Sequence, residues 1–313
     1  MLAVYDHDFP DPCVLPTGEG YYAYATETDG RVGCLFSADL STFEPRPDPC
    51  PTLPTWAVKG RSWAPDVSVV EHGALKARLY RMYLAMQANA QGTQHHIGVG
   101  VSVAPDGPFH FGNVPLVRDQ IDPSLFTDDD GTEYLLTAGA HATAGFINLT
   151  RLAYHGMTAD GPMIPILAAS PHDGGVVEAP QMFKRDGTYI LLFSTHSFES
   201  EDYCVEWASA PRVTGPFFRC GRILGSTLTV KGPGAIHVFR QLNGDQAAAF
   251  HGWPAWGVGY PDAYRRLYLS PLVWVDNFIP VVTDYWRDLD TQAYLAGVPP
   301  WTAPSSLPPT VYA

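Results

Sequence analysis

Hydrophobic positions along the chain occur in short runs that are separated by turn residues. Apolar or aromatic residues dominate positions 21–25, 79–84, 134–136, 189–193 and 247–250. Asp-Gly pairs at 29–30, 130–131 and 186–187, and Asn-Gly at 243–244, follow or precede such runs. These dipeptides between apolar runs are the strongest short-range signal for a β-hairpin. No stretch combines capping residues with helical periodicity beyond about two turns. The pattern therefore predicts an all-β protein.

Internal repetition predicts the architecture. The segments that begin DPCVL, APDVSVV, DPSLF and EAPQMF each continue as a short strand, a turn and further strands. The acids that lead these four segments are Asp11, Asp66, Asp122 and Glu178, and they are separated by 55, 56 and 56 residues. A fifth unit, GPGAIHVF, contains His237, which lies 59 residues after Glu178. Five units of this length predict a five-bladed β-propeller whose first strands line a central channel. The aligned acids are therefore expected to converge on one axis.

The domain organisation follows from where the repeats end. We expect one propeller domain over residues 1–285. Residues 286–313 are expected to form a strand remnant and a Pro-rich tail that packs on the propeller, without an appended sandwich or carbohydrate-binding module.

Composition and charge narrow the possible partners. Hydrophobic residues make up 46% of the 313 residues and charged residues 16%, which is typical of a globular protein. The net charge of −13 argues against nucleic acid or an anionic membrane as partner. The chain has five cysteines, an odd number, and none of them shows C-x-x-C spacing. This pattern argues against a zinc site and against a complete disulfide framework. No signal peptide or membrane span is recognisable, so the default localisation is cytoplasmic, or secreted if a signal has been removed.

The phrases taken together resemble glycoside hydrolase family 43. DPCVL, WAPDV, IDPSLFTDDDGTEYLL, VVEAPQMFKRDGTYILLFST, GPGAIHVF and RRLYLSPLVW occur in the expected order over roughly residues 8 to 283. The resemblance implies an inverting glycosidase, in which Asp11 is the general base, Glu178 the general acid and Asp122 the third carboxylate. This third carboxylate would hold the acid and raise its pKa. The substrate would be a carbohydrate such as arabinan, arabinoxylan or xylo-oligosaccharides.

Further site residues are implied by the same resemblance. Arg265 matches the family's substrate-binding arginine, while Arg266 would face away. His237 matches an axial histidine that reaches a calcium or sodium ion through water, although no cofactor is required for the chemistry; alone, it would be a core histidine. Trp63 is either a sugar-stacking wall or a packed core residue. Asp66 is expected to be structural or to hydrogen-bond substrate.

Several functions remain open from the sequence. The leading hypothesis is an exo-acting α-L-arabinofuranosidase, and a β-D-xylosidase or an endo-1,5-α-L-arabinanase on the same carboxylates is the nearest alternative. Retaining propellers that act on fructans carry Arg-Asp-Pro where this chain has Ile121-Asp122-Pro123. Outside the hydrolases, a non-catalytic sugar-binding propeller would have no need for three acids at one channel mouth.

Overall fold

Antiparallel sheets of four or five strands make up almost all of the computed structural model, which describes residues 1–72, 77–140 and 144–295. Within these ranges there are five sheets, each built from neighbouring segments of the chain. This is the expected five-bladed propeller. The aromatic and apolar runs identified in the sequence form the second strand of each blade, as predicted.

The strands are distributed over the blades in chain order. Blade 1 contains β2 (Cys13–Thr17), β3 (Gly20–Thr28), β4 (Arg31–Ser37) and β5 (Glu44–Pro45). Blade 2 contains β6 (Ser62–His72), β7 (Ala77–Gln87), β8 (His95–Ser102), β9 (His110–Phe111) and β10 (Val117–Arg118). Blade 3 contains β11 (Gln120–Thr127), β12 (Glu133–Gly139), β13 (Phe146–Ala153), β14 (Thr158–Ala159) and β15 (Ile164–Ala168). A 3₁₀ turn at Pro171–Asp173 leads into blade 4, which contains β16 (Val177–Arg185), β17 (Thr188–Thr195), β18 (Cys204–Ala210) and β19 (Phe218–Leu224). Blade 5 contains β20 (Val230–Arg240), β21 (Gln246–Pro254), β22 (Arg266–Val275) and β23 (Ile279–Val282).

The ring closes through the beginning of the chain. Strand β1 (Ala3–Tyr5) pairs antiparallel with β22, so that Ala3 lies opposite Tyr268. Blade 5 therefore combines the first and last strands of the propeller. This pairing fixes blade 5 beside blade 1 and brings residues that are far apart in sequence to the same channel.

The hydrophobic core is divided among the contacts between blades. Each of five clusters of buried side chains joins two neighbouring blades. The cluster between blades 4 and 5, for example, includes Leu192 and Val205 of blade 4 and Val238 and Phe250 of blade 5. Because burial of apolar surface stabilises every junction, the inner strands are held at fixed positions around the channel.

The end of the propeller differs from the expectation of a strand remnant. Residues Thr283–Leu295 form the helix α1, which carries Asp284 in its first turn. Tyr285 is buried in the cluster between blades 4 and 5, and Trp286 and Leu289 pack against it. This spacing is that of one helical face, but it is too short to stand out in the sequence. The domain boundary at 285 stays a prediction, and residues 296–313 lie outside the described residues. No helix in the described part of the chain is long and apolar enough to cross a membrane.

Candidate active site

One backbone feature recurs at the channel mouth of all five blades. Near the start of each inner strand a non-glycine residue has a positive φ between 46° and 54°; these residues are Asp11, Ala64, Asp122, Ala179 and Ala235. Proline follows the first four and Ile236 follows the last. Left-handed backbone is costly for residues with a Cβ, so tertiary contacts must hold it. The strand register shifts at this point in blades 2 to 5.

This equivalence corrects the register that was inferred from acid spacing. Asp11 and Asp122 do occupy equivalent positions. Asp66 lies two residues after the equivalent Ala64, and Glu178 lies one residue before Ala179. The nearly constant acid spacing therefore did not reflect structural equivalence, because differences in loop length offset these shifts.

Four of the five left-handed residues in the described part of the chain are held by a side chain of the preceding blade. In each case this side chain accepts the backbone N–H of the left-handed residue. The bonds are Asp11 N to His251 Nδ1 (3.1 Å), Ala64 N to Thr26 Oγ1 (2.9 Å), Ala179 N to Asp122 Oδ2 (2.9 Å) and Ala235 N to Ser194 Oγ (2.9 Å). These bonds satisfy buried backbone donors and stabilise the strained conformation.

Asp11 lies in a strongly anion-stabilising environment. Its Oδ1 is 3.3 Å from Arg265 Nη1, and its Oδ2 accepts a hydrogen bond of 2.6 Å from the Thr26 hydroxyl. Burial alone would raise the pKa of Asp11, but the Arg265 charge and the Thr26 hydroxyl lower it well below its usual value. Asp11 is therefore ionised at any working pH.

Glu178 lies in the opposite environment. Burial raises its pKa to about 7, and the negative charge of Asp11 acts in the same direction, while a hydrogen bond from Tyr203 and the Arg265 charge oppose the rise. Tyr203 Oη donates to Glu178 Oε1 at 2.7 Å. Glu178 thus holds a proton near neutral pH, and the site combines a carboxylate that can accept a proton with a carboxyl that can give one.

Asp122 is joined to Glu178 through the backbone. Its Oδ2 accepts the N–H of Ala179, the residue that follows Glu178. Burial raises the pKa of Asp122 well above its usual value, and the charges of Glu178 and Asp11 raise it further. Two buried carboxyls that repel each other in this way titrate as a pair and retain a shared proton to higher pH.

Arg265 is placed between aromatic rings and points at Asp11. It is only 8% exposed, with its guanidinium 4.6 Å from the centre of the Phe198 ring, and its Nε donates to Tyr260 Oη at 3.2 Å. Arg266 faces the other way and pairs with Asp6 at 2.7 Å. The two arginines therefore alternate as expected, and Arg265 is the one that lies in the site.

Trp63 lies at the edge of an apolar cleft beside Glu178. It stacks on His95 with ring centres 3.8 Å apart. The cleft has a volume of about 190 Å³, and its walls include Trp63, Ile121 and Val177. Trp63 is half-buried, so one part of the ring packs in the protein and another borders the cleft.

His237 and Asp66 lie deeper, on the channel floor, together with Cys13. His237 Nε2 is 3.6 Å from Cys13 Sγ and 3.9 Å from Asp66 Oδ1. A second set of hydrogen bonds joins neighbouring blades at the channel floor. The four donor–acceptor pairs are Val14 N–H to His237 Nδ1, Val67 N–H to Cys13 Sγ, Leu125 N–H to Asp66 Oδ2 and Val238 N–H to Gln181 Oε1. Asp66 and His237 therefore connect blades.

The ligand atoms of Cys13, Asp66 and His237 on this floor lie within 4.8 Å of one another, a spacing that could hold a metal ion. The protonation of His237 and Cys13 decides how these two residues could contact a calcium or sodium ion. Because Nδ1 accepts the Val14 N–H, the Nε2 of the neutral ring carries the proton and has no lone pair with which to coordinate an ion directly, although this N–H can donate to a water. Burial lowers the pKa of His237 to about 4, which keeps the ring neutral. Burial also raises the pKa of the Cys13 thiol, and a neutral thiol is a poor ligand for cations that prefer oxygen.

Four residues of the site were not found from the sequence. Thr26, Tyr203 and His251 contact the carboxylates directly, and Tyr260 supports Arg265. Only His251 carried a signal, since it is a polar residue at the end of the apolar run AAAFHGW. Thr26 and Tyr203 lie in the same blades as the acids that they contact, on β3 and on the loop before β18, and no pattern in the sequence marks them.

The site thus combines an ionised carboxylate, a protonated carboxyl and a buried arginine at the channel mouth of a five-bladed propeller. The comparisons with known proteins give the family. The sequence profile of Glycosyl hydrolases family 43 matches residues 3–279, so the chain belongs to this family.

Relatives within the family differ in the activities that their names state. The β-D-galactofuranosidase xynD of Aspergillus niger is 27% identical over 65% of this chain and 58% of its own length. Xylosidase/arabinosidase 43A of Humicola insolens is 26% identical over 55% of this chain and 61% of its own length. The chain thus aligns with about three-fifths of each of these relatives. The crystal structure of a thermostable family-43 glycoside hydrolase has a TM-score of 0.77, 22% identity, and coverage of 88% of this chain and 92% of that chain, which shows the shared fold.

Proposed function

We propose that this protein is a glycosidase that inverts configuration and removes terminal α-L-arabinofuranosyl residues from plant cell-wall polysaccharides or oligosaccharides. The main support for the proposal is that two acids at the channel mouth, Asp11 and Glu178, have opposite protonation states near neutral pH. Arg265 and Thr26 keep Asp11 ionised, while burial keeps Glu178 protonated near neutral pH. An inverting reaction needs one carboxyl in each state.

Each carboxyl has a distinct role in the proposed reaction. Asp11 accepts a proton from the attacking water, and Glu178 donates its proton to the leaving glycosidic oxygen. Asp122 holds the backbone next to Glu178 and, through repulsion, keeps a proton on the pair. After one turnover Asp11 is protonated and Glu178 ionised, and exchange with solvent restores both.

The remaining proposed contacts concern the sugar. Arg265 is placed to donate hydrogen bonds to sugar hydroxyls beside Asp11, and the exposed part of Trp63 offers an apolar surface for the C–H face of a sugar ring. A furanosyl substrate is supported by relatives whose names include galactofuranosidase and arabinosidase activities. A β-D-xylosidase or an endo-1,5-α-L-arabinanase would use the same three carboxyls.

A substrate panel and the product stereochemistry test the proposal. We expect hydrolysis of a nitrophenyl α-L-arabinofuranoside to exceed that of the galactofuranoside and xyloside, with free arabinose released from arabinan as the first product. Short oligosaccharides from debranched arabinan would instead indicate the endo-acting alternative. NMR of the earliest product should show inverted anomeric configuration, and retention would remove Asp11 as the base. Asp11→Asn is the control for contaminating activity.

A further inference from the structure

A buried tyrosine contacts the oxygen of Glu178 that is not needed for proton donation. We propose that Tyr203 is a positioning residue for Glu178 that confines the acidic proton to Oε2 and so aims it at the leaving oxygen. This inference rests on the proposed role of Glu178 as the acid, and it adds a residue that lies 25 positions further along the chain.

The hydrogen-bond geometry supports this role. Tyr203 is 1% exposed, and its hydroxyl donates to Glu178 Oε1 at 2.7 Å. Burial raises the pKa of Tyr203 well above its usual value, so the phenol remains a donor throughout the working range. An Oε1 that accepts this bond is the carbonyl-type oxygen of the neutral acid, which places the proton on Oε2.

The position of the Tyr203 ring is fixed from two sides. The ring stacks on His251, with centres 5.7 Å apart and planes within 4°. On the blade 5 side it lies against Gly234, where an added Cβ would come within 2.0 Å of Tyr203 Cε1. Gly234 precedes the left-handed Ala235 and is the blade 5 equivalent of Glu178. The phenol ring thus occupies the space that a side chain at this equivalent position would otherwise fill.

The same tyrosine connects the surroundings of both proposed catalytic groups. His251, on which its ring stacks, accepts the backbone N–H of Asp11 at 3.1 Å. Movement of Tyr203 would therefore disturb the acid directly through a hydrogen bond and the base indirectly through His251. A residue with only a packing role would have no reason to place its hydroxyl on the carboxyl.

Tyr203→Phe tests the hydroxyl while it keeps the ring. A hydrogen bond to the ionised form lowers the pKa of Glu178, so its loss should raise that pKa. We expect the alkaline limb of kcat/KM to move up by about one pH unit. We also expect kcat on arabino-oligosaccharides to fall about tenfold, with a smaller loss on dinitrophenyl arabinofuranoside. Tyr24→Phe is the matched control, because Tyr24 is equally buried and its hydroxyl donates to the Pro105 carbonyl instead.

A second variant tests the contact between the Tyr203 ring and Gly234. Gly234→Ala adds only a methyl group, which must displace Tyr203, and should move the alkaline limb in the same direction. Gly257→Ala, at a glycine with open space around it, is its control and should change nothing. An alkaline limb that stays in place or moves down in both test variants would overturn the inference.

A separate variant distinguishes this failure from failure of the proposed function. If Glu178→Gln loses more activity on poor leaving groups than on good ones, Glu178 is the acid and only the role of Tyr203 is refuted. If Glu178→Gln shows no such dependence, the acid has been assigned to the wrong residue and the inference falls with it.

Discussion

Replacing Glu178 by glutamine should stabilise the folded protein at high pH although it removes the proposed acid. Burial raises the pKa of Glu178 from its ordinary 4.5 to about 7. A carboxyl whose pKa is higher in the folded state than in the unfolded state binds its proton more tightly when folded. Its ionisation therefore costs stability, and the cost begins near pH 4.5, grows up to about pH 7 and is constant above.

The size of this effect follows from the same two values. The difference between 4.5 and about 7, at about 1.4 kcal/mol for each pH unit, gives an upper limit of about 3.5 kcal/mol. Glu178 is half-buried at a channel mouth, so solvent screens part of the cost. We expect Glu178→Gln to gain on the order of 1 to 2 kcal/mol in free energy of unfolding at pH 8.5 relative to pH 4.5. Glutamine remains neutral and can still accept the Tyr203 hydroxyl, so few contacts change.

Urea unfolding of the wild type and the variant at pH 4.5, 7 and 8.5 measures this difference. Glu19→Gln, at an exposed glutamate, is the control and should give the same change in unfolding free energy at every pH. A Glu178→Gln effect that does not vary with pH would refute the reasoning, because it would mean that folding does not raise the pKa of this carboxyl. The basis for its role as an acid near neutral pH would then be lost.

Three further outcomes are expected. Glu178→Gln should lose about 10²-fold or more in kcat on arabinan but much less on aryl glycosides with good leaving groups, and equal losses would remove its acid role. Asp122→Asn keeps an oxygen that can accept the Ala179 N–H, but it removes the negative charge that repels Glu178 and raises the higher of the two pKa values of the Asp122–Glu178 pair. The alkaline limb of kcat/KM should therefore move down by about one pH unit, whereas Asp130→Asn on the exposed turn leaves it in place; no movement in Asp122→Asn would count against the pairing. Gln181→Leu removes two hydrogen bonds to the blade 5 backbone, one in which the side chain donates and one in which it accepts, and should lower the free energy of unfolding by about 1 to 3 kcal/mol in urea titrations. The exposed control Gln94→Leu should have little effect. Equal effects of the two substitutions would contradict a role of Gln181 in holding the blades together.

The fold was predictable because its signals are local. A hairpin turn such as Asp186-Gly187 and the apolar run that follows specify one strand pair without reference to the rest of the chain. Repetition of such pairs then gives the number of blades. The helix α1 was missed because Tyr285, Trp286 and Leu289 provide too few apolar positions to indicate a helical face.

The candidate site was only partly predictable, because spacing in sequence does not measure position in the ring. Asp11 and Asp122 occupy equivalent positions in their blades, and each precedes a proline. Aspartate suits this position because it tolerates left-handed backbone better than most residues. Asp66 matched their spacing but lies two residues beyond the equivalent Ala64, so it points to the channel floor. Tyr203 could not be found, because it lies on the loop between β17 and β18, and its contact with Glu178 of β16 depends on how this loop folds back within blade 4.

The junction bonds explain how a propeller can keep an acid pair buried at its mouth. Three junctions use a neutral acceptor for the left-handed N–H, namely Thr26, Ser194 or His251. At the junction of blades 3 and 4 the acceptor is the carboxyl of Asp122 itself, and the N–H that it binds follows Glu178. The bond that holds these blades together thus also ties the Asp122 carboxyl to the backbone next to Glu178. Burial is the main cause of the raised pKa of both carboxyls, and repulsion adds to it for Asp122. A variant that keeps the bond but removes the charge therefore separates the junction bond from the electrostatic effect.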